Sequence, residues 1–183
     1  MKPLLAFSRV VDSINAVFGK AADWMTLFAV AISAGNAFVR YGVSYSSNAW
    51  LEVQWYLFAG MVMLGASYTL NRNEHVRVDI LFGSLSDRYR LWVDILGITI
   101  FLLPAMGLMA WMTWPFFLDS FFRNETSQNA GGLLRWPVKL ILPLGFLLIL
   151  LQGLSELIKR LAILFGEKPA EAEVVLAYER PLQ

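Results

Sequence analysis

Four apolar stretches, at about 22–43, 53–70, 91–117 and 138–157, constrain this chain more than any other feature. About 20 mostly apolar residues are needed to cross some 30 Å of hydrocarbon at a rise of 1.5 Å per residue. Each stretch reaches or approaches that length, so the reading is an all-α integral membrane protein with four transmembrane helices. Composition agrees: 57% of residues are hydrophobic and only 16% charged, against roughly a quarter charged in soluble domains. The net charge of +1 gives no basic surface for nucleic acid. With no cysteine, disulfide frameworks, thiolate metal sites and iron–sulfur clusters are excluded.

Aromatic and basic residues set the expected topology. Trp24, Trp50, Trp55, Trp92, Trp111, Trp114 and Trp136 fall at expected span ends, where indole favours the headgroup layer. Lys2, Arg9, Lys20, Arg72, Arg77, Arg88, Arg90, Lys159, Arg160, Lys168 and Arg180 gather on one side, whereas Arg40, Arg123, Arg135 and Lys139 take the other. Because basic residues are retained in the cytoplasm, both termini are expected there.

Four segments lie outside the spans. In 1–21, Phe7, Val10, Val11, Ile14, Val17 and Phe18 recur at helical spacing opposite Arg9, Asp12, Ser13 and Asn15, predicting an amphipathic N-terminal helix on the membrane surface. Lipid or a neighbouring protein helix would cover its apolar face. Between the second and third spans, Val76, Val78, Ile80, Leu81 and Phe82 alternate with polar residues, predicting a cytoplasmic interfacial arm. Residues 119–132 read as an outer turn-rich connection, and 158–183 as a cytoplasmic tail. Pro104 predicts a tilt or kink in the third span.

Enzymatic motifs are missing. One histidine, His75, cannot build a His–His haem site or a HExxH zinc site within the chain, and Gly19-Lys20 lacks the remainder of a phosphate-binding loop. No enzyme activity and no resident cofactor are expected. Intramembrane charges cost about 2.5 to 3.5 kcal/mol at mid-depth, which singles out those near the spans. Asp94 reads as an i,i+4 partner of Arg90 or, more sharply, as a proton-relay group. Lys139 is expected to snorkel outward and Glu156 to mark a cytoplasmic helix end beside Lys159 and Arg160. Glu52 and Gln54, with Trp55, flank the outer start of the second span, where they would bind a partner or stay hydrated. Asn36, the deepest polar group of the first span, is placed to hydrogen-bond another helix.

The run Glu52-Val53-Gln54-Trp55-Tyr56-Leu57-Phe58 is followed by Leu64-Gly65-Ala66-Ser67-Tyr68-Thr69-Leu70 and by His75-Val76-Arg77-Val78-Asp79-Ile80. Together with Trp92-Val93-Asp94, Gly97, Pro104, Trp114-Pro115, Pro143-Leu144-Gly145-Phe146, Gln152-Gly153 and Glu156, this pattern resembles the small permease subunit of TRAP transporters, the tripartite ATP-independent periplasmic transporters. The likeness covers about residues 20 to 160. It implies a bacterial inner-membrane protein bound to a large permease subunit that carries the substrate and sodium sites, and served by a periplasmic solute-binding protein. It also implies a scaffolding role in sodium-driven uptake of an organic acid or related solute. Candidate partner contacts are then Glu52, Gln54 and Trp55 at the outer rim, Asn36, and His75, Arg77 and Asp79 in the arm, with lipid covering other apolar faces. A self-contained oligomeric transporter or channel is the alternative, and a haem- or quinone-holding subunit a more distant one.

Overall fold

The structure, a computed structural model, describes residues 2–45, 47–75 and 85–167. The arm expected at 76–82, with Arg77 and Asp79, lies outside the described residues, as does the tail beyond residue 167.

The described chain is helical, with one isolated antiparallel bridge between Thr126 and Leu134. Four helices follow one another: α1 (Lys2–Val43), α2 (Asn48–Asn71), α3 (Asp87–Phe122) and α4 (Trp136–Leu164). Among the described residues α1, α3 and α4 are long and apolar enough to cross a membrane. At 24 residues α2 has comparable reach, but Trp50, Glu52, Gln54, Trp55 and Tyr56 at one end and Ser67 to Asn71 at the other make it more polar.

The expected break between a surface helix and the first span is not seen, because α1 is one continuous 42-residue helix. Its polarity is also the reverse of a surface helix. Ser8, Val11, Asn15, Gly19 and Ala22 are buried, and Leu4, Phe7, Val10, Ile14 and Val17 are exposed. Trp24 consequently falls in the middle of a helix rather than at its end.

Central position belongs to α4, which packs on all three other helices. Of its most apolar stretch 39% is buried, against 6% for α1 and 11% for α3, so α4 is the most enclosed of the three. Close approach is achieved at glycines. Gly60 faces Met25 Sδ, Gly65 faces Ala22, Gly19 faces the Tyr68 ring, and Gly145 lies against Met63, where a Cβ would stand 2.8 Å from the Met63 carbonyl oxygen. These pairings run α1 antiparallel to α2, and α2 parallel to α4.

The irregularity expected at Pro104 takes a specific form. Residues Ile98–Leu102 form a π-turn in which Leu103 N–H donates to the Ile98 carbonyl, and Pro104 follows in the first turn of the resumed α-helix. A wide turn just before a proline accommodates a residue that cannot donate to its own i−4 carbonyl. Leu102 and Leu103 there sit over Gly153 of α4.

Candidate functional site

Two polar stations occupy opposite ends of α4. At the inner one, Gln152, Ser155, Glu156, Lys159 and Arg160 recur at i, i+3, i+4, i+7 and i+8, which places them on one side of the helix. On α1, Ser8, Asp12 and Asn15 recur in the same manner and face them. Asn15 Nδ2 donates to Gln152 Oε1 at 2.7 Å, and Gln152 Nε2 donates to Asp12 Oδ1 at 2.9 Å and to Glu156 Oε1 at 3.1 Å. The Ser8 and Ser155 hydroxyls share a bond of 2.6 Å, and Ser155 Oγ donates to Asp12 Oδ1 at 3.0 Å.

Two cations close this network. Lys159 Nζ lies 2.8 Å from Asp12 Oδ2, 2.8 Å from Glu156 Oε1 and 3.5 Å from Asn71 Oδ1, so an ammonium with three N–H groups meets acceptors from α1, α4 and α2. Arg160 Nε lies 3.1 Å from Asp94 Oδ2 on α3, while its Nη1 donates to the Glu156 carboxylate and, at 3.3 Å, to the Glu156 carbonyl. All four helices are therefore tied together. The side chains of Lys159, Glu156 and Arg160 are 1%, 2% and 3% exposed, which commits their charges to one another.

This geometry revises one expectation and adds a partner to another. Glu156 does pair with Lys159 and Arg160, but the helix continues to Leu164, so Glu156 is an internal lock rather than a helix end and the tail boundary at 158 falls inside α4. Asp94 also reaches across the bundle to Arg160 at 3.1 Å, and Arg90 meets Asp87 at 3.3 Å. His75 lines the same inner groove as Asp94, Arg160, Gly97 and Phe101.

The outer station joins the start of α2 to the loop between α3 and α4. That loop is an ordered hairpin, closed by Ser127 N to Leu133 O at 2.9 Å and Arg135 N to Glu125 O at 2.8 Å, with Asn124 and Gly131 at positive φ. Glu52, 4% exposed, plugs it: Leu133 N–H donates at 2.7 Å, Asn129 Nδ2 at 2.8 Å, and the Ser127 hydroxyl donates as well. Chiefly the Leu133 amide, then Ser127 and Asn129, hold the Glu52 carboxyl below the usual carboxylate range, against the opposing effect of burial. Tyr56 adds a bond from its hydroxyl to Leu134 O at 3.0 Å. Glu52 is thus an internal clamp and not a free partner contact.

Lys139 does not snorkel away either. Its ammonium pairs with Glu125 and lies 4.0 Å from the centre of the Phe116 ring, a cation–π contact between α4 and α3. That ion pair holds the Glu125 carboxyl below its usual range. Of the remaining rim candidates, Trp55 is 66% exposed, and Gln54 has a buried Nε2 without a hydrogen-bond partner. Among the described residues Asn36 has no hydrogen-bond partner on another helix. It sits half-buried in an otherwise apolar groove with Phe28, Ile32, Val39, Tyr45 and Trp50.

Sequence reasoning singled out Glu52, Asp94, Lys139 and Glu156 but missed Gln152, Ser127, Asn129 and Glu125, which bond to three of them, and Asp12 and Ser155, which complete the inner network. The signal was present in the matching polar stripes of α1 and α4, read as a wet face when it was an interior one. Among the described residues no group of three carboxylate or imidazole side chains is disposed to hold a metal ion. The stations fix the helices to one another.

No curated protein and no solved structure shows significant similarity to the chain. The model of one family, described as Tripartite ATP-independent periplasmic transporters, DctQ component, matches residues 14–163 and so takes in α4 almost whole, the outer station, the inner station apart from Ser8 and Asp12, and most of α1. This membrane-embedded chain belongs to the DctQ component family of the tripartite ATP-independent periplasmic transporters.

Proposed function

We propose that the chain is a rigid four-span scaffold for the large permease subunit of its transporter, in the inner membrane with both termini cytoplasmic. The large subunit would hold the substrate and sodium sites, and a periplasmic binding protein would deliver an organic acid or related solute. One observation carries this reading: the inner ion network ties all four helices together with its charges already satisfied, leaving a brace and no solute site. A moving transport domain in a fluid bilayer needs a reference body that resists displacement, and cross-linked helices provide one.

Dimensions support the four-span frame. Glu156 follows Trp136 by twenty positions, about 30 Å along a helix, so the two stations stand one hydrocarbon thickness apart. Because α1 is paired alongside α4 and α2, the bilayer then covers α1 from about Ile14 upward, and Ile14 and Val17 of its exposed ridge enter the inner leaflet. Exposed Trp55 and the hairpin face the periplasm, where the binding protein would arrive.

The test is uptake by the reconstituted system with and without this chain. Loss of uptake with the large subunit still folded is expected. Normal uptake by the large subunit and binding protein alone would reject the scaffold, and solute accumulation by vesicles holding only this chain would favour a self-contained carrier.

A further inference from the structure

The outward surface of α1 is not uniformly suited to lipid. Ser13, Ala16, Lys20 and Asp23 recur at i, i+3, i+7 and i+10, a single helical face beside the apolar ridge of Phe7, Val10, Ile14 and Val17. Lys20 and Asp23 are exposed, and among the described residues neither has a hydrogen-bond or ion-pair partner. Their depth follows from their neighbours. Asn15 bonds Gln152 beside the inner network, Ala22 meets Gly65, and Met25 meets Gly60 at the midpoint of α2, where Ile141 also approaches. Lys20 and Asp23 therefore lie between the two stations, at the level that the four-span frame assigns to hydrocarbon.

Lipid is a poor occupant of this face. A lysine reaches some way toward the headgroups, but the aspartate side chain is too short to do so from mid-bundle. Charges of opposite sign one turn apart, with small Ser13 and Ala16 beside them, suit a helix that approaches closely and presents the reversed pair. Resting on the scaffold reading above, we infer that the Ser13–Ala16–Lys20–Asp23 face of α1 docks a transmembrane helix of the large permease subunit that carries a cation for Asp23 and a carboxylate for Lys20. The neighbouring ridge at Ile14 and Val17 faces lipid. Complementary charge would set the register of the two subunits as well as their attachment.

The experiment uses the assembled transporter in native membranes, with photoactivatable p-benzoylphenylalanine in place of Lys20, Asp23, Ile14 or Val17. Adducts to the large subunit are expected from positions 20 and 23, and lipid adducts from 14 and 17. In parallel, Asp23→Leu should reduce copurified large subunit at least about thirtyfold, the scale of losing a desolvated interfacial charge pair. Ile14→Leu should leave it unchanged, and the isolated Asp23→Leu chain should melt as the unsubstituted one does. Lipid adducts alone from position 23 would overturn the inference, and adducts to a second copy of this chain would replace the partner named here. Copurification of the unsubstituted subunits without a large-subunit adduct at 20 or 23 would also overturn it, while leaving the scaffold reading intact. If the unsubstituted subunits do not associate at all, both readings fail.

Discussion

Lys159 Nζ stands 2.8 Å from Asp12 Oδ2, which ties the last helix to the N-terminal half of the first. Because the same ammonium also meets Glu156 and approaches Asn71, its loss leaves two carboxylates unbalanced in a nearly closed site. Replacing Lys159 by Met is expected to destabilise the detergent-solubilised chain by about 3 to 5 kcal/mol, the usual scale for breaking a buried pair from one side. Combining it with Asp12→Asn should recover part of that loss. Thermal unfolding of the two single variants and the double variant checks this; strictly additive losses would refute a coupled network.

The outer clamp should respond to acid. Hydrogen bonds from Leu133, Ser127 and Asn129 depress the Glu52 carboxyl in the folded chain, so its stabilising contribution is complete above the unfolded value of about 4.3 and is lost as pH falls through the lower folded value. Protease accessibility of the 126–134 hairpin, followed from pH 6 downward, should rise in that window. Glu52→Gln should open the hairpin already at neutral pH and flatten the acid dependence. An unchanged profile in the Gln variant would mean that the carboxylate does not hold the loop.

Helix contacts at glycine should be graded by what stands opposite. At Gly145 a Cβ would meet the Met63 backbone at 2.8 Å, whereas at Gly107 the nearest atom is a Leu150 methyl carbon at 4.0 Å. Gly145→Ala is expected to cost about 1 to 3 kcal/mol through overpacking against backbone that cannot give way. Gly107→Ala should be neutral or stabilising by up to about 1 kcal/mol, because alanine favours the helix interior. Equal melting temperatures for the two variants would show that α2 and α4 do not approach as described.

Asn36 offers a test that separates folding from assembly. Among the described residues it has no hydrogen-bond partner on another helix, so Asn36→Leu should change the stability of the isolated chain by no more than about 0.6 kcal/mol, the mean value of an interhelical polar contact. If its groove receives a partner side chain, the same variant should lower copurification with the large subunit. A large loss of stability in the isolated chain would instead reveal an internal role.

The sequence by itself determined the helical class, the long apolar helices and the family, because hydrocarbon thickness acts on composition and run length and these need no tertiary information. It also marked Glu52, Lys139 and Glu156 as notable charges. Whether they faced out or in was decided only by the tertiary structure. In water a helix with one polar and one apolar stripe turns the apolar stripe inward, and the N-terminal segment reads that way when taken alone. Packed against α4, Ser8, Asp12 and Asn15 meet a matching polar stripe from Gln152 to Lys159, and the apolar residues turn outward. The hairpin that buries Glu52 was illegible for a related reason, since its donors Ser127, Asn129 and Leu133 stand some eighty positions away and look like ordinary loop residues. A polar side chain declares its chemistry locally, but its direction depends on which partner can satisfy it once water is excluded, and only the packed helices supply that partner.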